Sequence, residues 1–324
     1  MRRLLALALK VAISVLLLYF ALARVNLSVV GARLSQIEMI WLAAAVLILV
    51  VQVVSGALRW QQIVLHCGAS DTPIFSLRRA LRYSFMAAFF NQTLPSTVGG
   101  DAVRIWLLGR DGTGWRIATY SVLIDRLAGV LILALLVLIC LPWSFDLIDS
   151  PTGRIALLVV GFGSASSCLM FLMLGFIRWR WLDRWWLPRH LIAATRIARH
   201  VLTSPSTGAL VAIYSLLTHL MTVSAAWCLA KSVAAPLEWT QALLLVLPVL
   251  LIATIPLSIA GWGVRESTMI IAFAYAGLPE SDGLVVSVLL GVALFAVGLL
   301  GGAVWIINDG KRLLMPAAEP AREP

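Results

Sequence analysis

Residues 117–141 read IATYSVLIDRLAGVLILALLVLICL, and this stretch decides the fold. A helix needs about 20 apolar residues to cross the hydrocarbon core of a bilayer, and this run supplies them. It also carries Asp125-Arg126 well inside the apolar stretch. Each charge costs about 2.5–3.5 kcal/mol at a helix centre on insertion scales, so both must face the bundle interior or water and find partners. Adjacent helical residues diverge by about 100°, which predicts that Asp125 and Arg126 pair with other helices rather than with each other. Two roles stay open for them: an ion pair that fixes packing, or part of a substrate or proton path.

The rest of the chain is as apolar as this segment. Of 324 residues, 61% are hydrophobic and 12% charged, with a mean hydropathy of +0.97. Soluble domains run at about 45–50% apolar and about 25% charged. A soluble enzyme or a free nucleic-acid binder is therefore excluded, and the composition predicts an all-α, polytopic membrane helix bundle. The formal charge of +10 comes from 22 arginines and three lysines (Lys10, Lys231, Lys311). In a membrane protein such an excess marks cytoplasmic loops beside anionic lipid, not nucleic acid. Cys67, Cys140, Cys168 and Cys228 lie far apart without a C-x-x-C pair, which argues against a zinc site or a disulfide framework.

Spans are expected at 4–23, 40–58, 117–141, 155–177, 208–230, 239–257, 264–277 and 284–307, with a re-entrant segment at 83–98. The first reads as a retained anchor rather than a cleaved signal, because Lys10 interrupts it and further spans follow. Arginines crowd 59–82, 99–116 and 178–207, while Glu38, Asp146, Asp149, Glu238, Glu280 and Asp282 gather on the other side. By the positive-inside rule the N-terminus and the tail at 308–324 are cytoplasmic, in a single membrane domain spanning 1–324. The alternation of arginine and tryptophan over Arg178–Trp186 suits the headgroup layer.

The stretch from Asn91 to Arg104 breaks the apolar pattern, with Pro95, Ser96, Gly99, Gly100 and Asp101 between. Proline and paired glycines favour a reversal, and open backbone at membrane depth is tolerated only where protein or a watery cavity covers it. A helix starting near Asp101, with Asp101 as its cap, would aim free N–H groups at an anion. Arg104 follows one turn later on a similar face. A second segment, Pro256 to Glu266, aligns with the first without gaps: four of ten positions are identical (Pro95/Pro256, Gly100/Gly261, Val103/Val264, Arg104/Arg265). Chance likeness and an internal repeat meeting at a binding site are both compatible with this. Two polar stripes complete the candidates. Ser215, Thr218, His219 and Thr222 share a face of one span, and Gln52, Ser55 and Arg59 a face of another. Interhelical hydrogen bonding and a polar path through Arg59 and His219 both fit such stripes.

Asn91-x-x-Leu94-Pro95-Ser96-x-x-Gly99-Gly100-Asp101-x-x-Arg104, then Asp125-Arg126, then Pro256-x-Ser258-x-x-Gly261-x-Gly263-x-Arg265-Glu266, resembles the lysylphosphatidylglycerol synthase transmembrane-region family, also called flippase-like domain proteins. The resemblance covers roughly residues 5–310. It is similar to the membrane half of the bacterial multiple peptide resistance factor, which moves aminoacylated phosphatidylglycerol between leaflets. The soluble aminoacyl-transferring part has no counterpart in this sequence, so the resemblance implies translocation and not the aminoacylation reaction.

The expected function is therefore a lipid translocator of the bacterial inner membrane. It would act on an anionic or phosphate-bearing lipid: a phospholipid, an aminoacylated phosphatidylglycerol or a polyprenyl phosphate. The candidate binding residues are Asn91, Pro95, Ser96, Gly99, Gly100, Asp101, Arg104, Asp125, Arg126, Ser258, Gly261, Gly263, Arg265 and Glu266. No cofactor or metal is expected, since His66, His190, His200 and His219 form no ligand pattern. With no Walker A loop, an ion or lipid gradient must supply energy. The alternatives are a non-transporting subunit or assembly factor working with an envelope lipid-synthesis enzyme, or a membrane enzyme acting on a lipid phosphate. Gly291, Gly298, Gly301 and Gly302 permit close helix contact in the last span, within one chain or between two.

Overall fold

The computed structural model describes residues 31, 33, 35, 37–67, 75–94, 98–176, 186–255 and 262–308. The expected first span, Pro95, Ser96, Pro256, Ser258, Gly261, the arginine-tryptophan run up to Trp185 and the tail after Asn308 lie outside them. Ten α-helices are present among the described residues: α1 (Met39–Cys67), α2 (Leu77–Thr93), α3 (Gly99–Leu108), α4 (Trp115–Leu147), α5 (Pro151–Met173), α6 (Trp186–Thr203), α7 (Pro205–Ser232), α8 (Trp239–Ala253), α9 (Val264–Tyr275) and α10 (Glu280–Asn308). Five are long and apolar enough to cross a membrane: α1, α4, α5 with its 3-10 extension, α7 and α10. This is a multi-pass membrane helix bundle.

Local sequence sets the helix ends. Ser76 and Ser150 cap α2 and α5 through their hydroxyls, and proline opens α5 and α7 where no N–H is needed. Gly112 and Gly114, both at φ 87°, turn the chain between α3 and α4 through a short π-helical segment. The main core packs α1, α4, α7, α8 and α10 through Leu49, Leu133, Leu229, Val246 and Leu290, all nearly fully buried. Helix α10 sits most centrally, with 61% of its apolar window buried against 17% for α1 and α5.

The short helices form two pairs. Helices α2 and α3 pack together, as do α8 and α9, and the sequence joining the helices of each pair contains a proline. At about 1.5 Å rise per residue, none of the four reaches the ~30 Å of the hydrocarbon core alone. The glycines of α10 serve contacts within the chain. A side chain at Gly301 would collide with the Phe85 carbonyl of α2, and one at Gly302 would meet the Phe89 ring at 2.9 Å.

Several boundaries shift from the sequence reading. Helix α1 continues past residue 58 to Cys67, so Arg59 is a buried helical residue rather than part of a loop. Its apolar neighbours Trp60, Ile63 and Val64 keep that face inside the bundle. Arg104 likewise belongs to α3 and turns inward. Residues 186–203 of the expected loop form amphipathic helix α6, which buries Ile192, Ala198 and Val201 and exposes Arg189 and Arg196. One end of the bundle, joined by Tyr83–Asp111, Tyr120–His190 and His66–Thr207 contacts, carries Arg78, Arg79, Arg82, Arg110, Arg116, Arg189 and Arg196. The opposite end carries Glu38, Asp146, Asp149, Glu238, Glu280 and Asp282.

Candidate functional site

Three arginines and two aspartates alternate in a ladder joining α1, α3 and α4. Arg59 Nε donates to Asp125 Oδ1 at 2.7 Å, and Arg104 Nη1 donates to Asp125 Oδ2 at 2.9 Å. Arg104 Nη2 then reaches Asp101 Oδ1 at 2.5 Å, and Arg126 Nε reaches Asp101 Oδ2 at 2.6 Å. All four carboxylate oxygens thus accept from guanidinium groups, and the five side chains carry a formal charge of +1. As the spacing predicts, Asp125 and Arg126 pair away from each other. The inner members are buried, whereas the Arg126 side chain is 45% exposed and forms the outer rung. Arg104 also lies over the Trp60 ring at 5.0 Å, with its Nε buried and without a hydrogen-bond partner.

Arg59, Arg104, Asp125 and Arg126 form one wall of a cavity of about 330 Å³, and Asp101 holds two of these arginines without itself lining it. Gln52, Ser84, Asn91, Gln92, Thr218 and His219 add polar groups, while Ala87, Ala88, Val130, Leu133, Leu294 and Val297 make an apolar wall. One surface therefore presents both ionic and hydrocarbon-compatible faces.

The broken α2–α3 pair positions Arg104. Asn91 Oδ1 accepts from the Gly100 N–H at 2.8 Å, tying the end of α2 to the first turn of α3. The helix begins at Gly99 with Val98 as N-cap and no side-chain cap, so Asp101 is not the cap that its position suggests. Its carboxylate is drawn into the ion ladder instead. Nor do Gly99 and Gly100 provide a left-handed turn, since neither has positive φ. They provide room: a Cβ at Gly99 would stand 2.9 Å from the Phe90 carbonyl, and one at Gly100 would overlap the Ala87 carbonyl and the Asn91 side chain.

The two polar stripes face each other. Gln52 meets Thr222 at 3.4 Å, Thr218 meets Ser55 at 3.4 Å and Arg59 Nη1 meets Ser215 Oγ at 3.2 Å, zipping α1 to α7. His219 Nε2 lies 2.9 Å from the Gly129 carbonyl of α4 and donates to it, while the ring lines the cavity. Arg59 and His219 thus join the site beside their structural contacts.

Arg265 and Glu266 are placed elsewhere. Glu266 is fully buried and accepts from Arg265 Nη2 at 2.7 Å, Ser287 Oγ at 3.1 Å and the Gly263 N–H at 2.6 Å. Gly263 holds φ 88°, a conformation that favours glycine. Arg265 lies over Trp262 at 5.3 Å, and neither charged residue lines the cavity. In the register that matches Arg104 with Arg265, Val264 matches Val103, so α9 starts four residues later than α3, which opens at Gly99. Arg104 therefore sits mid-helix and reaches α4, whereas Arg265 sits in a first turn and folds back onto Glu266 and α10. The two groups form separate ionic clusters.

Ser84 and Gln92 had no sequence signal as site residues, because each is an ordinary polar position on a short helix. The family match agrees with the motifs. The model of the lysylphosphatidylglycerol synthase TM region matches residues 7–302. The chain belongs to this family. The matched range takes in the whole ladder and both broken helix pairs of this family member. Comparison with curated proteins finds no match.

Proposed function

We propose that this member of the lysylphosphatidylglycerol synthase TM region family translocates a lipid bearing a phosphate headgroup between the leaflets of a bacterial inner membrane. The supporting observation is the net-positive Arg59–Asp125–Arg104–Asp101–Arg126 ladder along a cavity that also has an apolar wall. A flippase must shelter the headgroup, because the tails already suit the bilayer. Arginine suits this task, since its planar guanidinium fits phosphate oxygens. The carboxylates hold the guanidiniums in position while the cavity is empty.

The basic end of the bundle is cytoplasmic in this reading, with both termini on that side. The cycle makes and breaks no covalent bond and runs on an ion or lipid gradient, without a cofactor. A partner that synthesises the lipid would deliver substrate.

A second reading is favoured by the complete pairing of both carboxylates: the ladder fixes helix packing in a non-transporting subunit. Headgroup accessibility in proteoliposomes distinguishes them. A translocator accelerates exchange of an anionic lipid, and folded Arg126→Ala loses that acceleration. Equal exchange with and without folded wild-type protein, under an imposed proton gradient, rejects the translocator.

A further inference from the structure

The cavity's charge balance narrows what it admits, on the footing of the translocator reading above. Asp101 and Asp125 are the only carboxylates among the ladder's five side chains, and each already takes two guanidinium donors. The remaining described lining residues are uncharged or are histidine. A headgroup ammonium would therefore enter beside a ladder of formal charge +1 and meet no uncommitted carboxylate among the described lining residues. Like charge in a partly desolvated cavity is strongly disfavoured, since Coulomb energies grow as the effective dielectric falls. The neutral lining has the opposite character. Gln52, Ser84, Gln92 and Thr218 supply amides and hydroxyls that both donate and accept, which matches hydroxyl groups. The 330 Å³ volume lies at the low end for small-molecule sites, room for one compact headgroup.

We infer that the site selects phosphodiester lipids with a compact, uncharged, hydroxyl-rich headgroup, such as glycerol or one sugar, and rejects lipids whose headgroup carries an ammonium. The phosphate meets the arginine ladder, and the hydroxyls meet the amide and hydroxyl side chains. A diacylglycerol and a polyprenyl tail could both carry this headgroup chemistry.

The test uses the full chain in phosphatidylcholine vesicles with an imposed proton gradient. Trace phosphatidylglycerol, a monoglycosyl polyprenyl phosphate or lysyl-phosphatidylglycerol is present in separate arms. Movement of either uncharged-headgroup lipid at least about tenfold faster than the lysyl form is expected, and the faster arm identifies the tail class. Gln92→Glu adds a carboxylate without removing a ladder residue and should raise lysyl-phosphatidylglycerol movement by about tenfold. This is a gain that misfolding cannot imitate. Equal or faster movement of the lysyl lipid by wild type overturns the selectivity while leaving translocation standing. No movement in any arm overturns both.

Discussion

Arg104 and Asp125 meet at 2.9 Å across 21 residues of sequence and bind the short α3 helix to membrane-spanning α4. The same guanidinium holds Asp101, so one side chain links both carboxylates of the site. Arg104 is thus the central rung of the ladder.

Arg104→Ala should destabilise far more than Arg126→Ala. Loss of a buried partner typically costs about 3–5 kcal/mol, and here two carboxylates lose one each. Arg126 is nearly half exposed, and its removal leaves Asp101 still held by Arg104, so a smaller loss is expected. Thermal unfolding in detergent should show a large drop for the first and little for the second. An equal drop for both would contradict the inner and outer assignment.

Where α2 meets α3, Gly100→Ala should be worse than Asn91→Ala. The added methyl would press on the Ala87 carbonyl and the Asn91 side chain, with overpacking costs of about 1–3 kcal/mol. Asn91→Ala removes one hydrogen bond, worth about 1 kcal/mol. Melting temperatures of the two variants, measured side by side, check the order.

Glycines of similar appearance should differ in sign. Gly301→Ala drives a side chain into the Phe85 carbonyl and should loosen α10 from α2. Gly163→Ala on α5 meets nothing within 4 Å and gains helix propensity of up to about 1 kcal/mol. The first should lower the melting temperature and the second leave it unchanged or raise it.

The Arg265–Glu266 pair should behave non-additively. Either single replacement, Arg265→Met or Glu266→Leu, leaves a buried charged group short of its partner. The double variant Arg265→Met with Glu266→Leu removes both charges and should be less destabilised than the sum of the corresponding single losses. A double-mutant cycle by thermal unfolding measures the coupling, and simple additivity would dispute the pairing.

The spans were legible because apolar length alone specifies a crossing, as in α4, α7 and α10. Asp125 and Arg126 were legible as paired residues, since neither charge could stay in lipid alone. Their partners were not, because ion pairing across helices depends on tertiary contact. Arg59 looked like the first loop charge after an apolar run, yet its α1 neighbours carry the helix onward to Cys67. Asp101 looked like a cap by position, but opposite charge from Arg104 and Arg126 outweighed the capping bond. The Arg104 and Arg265 segments resemble each other in sequence, and only the different helix starts reveal their separate surroundings.

The distance along the chain between Arg59 and Asp125, 66 residues, also bears on biogenesis. When α1 first leaves the ribosome, the counter-charge for its Arg59 has not been synthesised. The α2–α3 pair supplies Asp101 but equally adds Arg104, and Asp125 arrives only with α4. Helix α1 must wait near an aqueous or headgroup environment until α4 emerges, and then three segments seat their charges together. A nascent chain arrested after α3 would therefore expose Arg59 to water-soluble modifying reagents, and one arrested after α4 would conceal it.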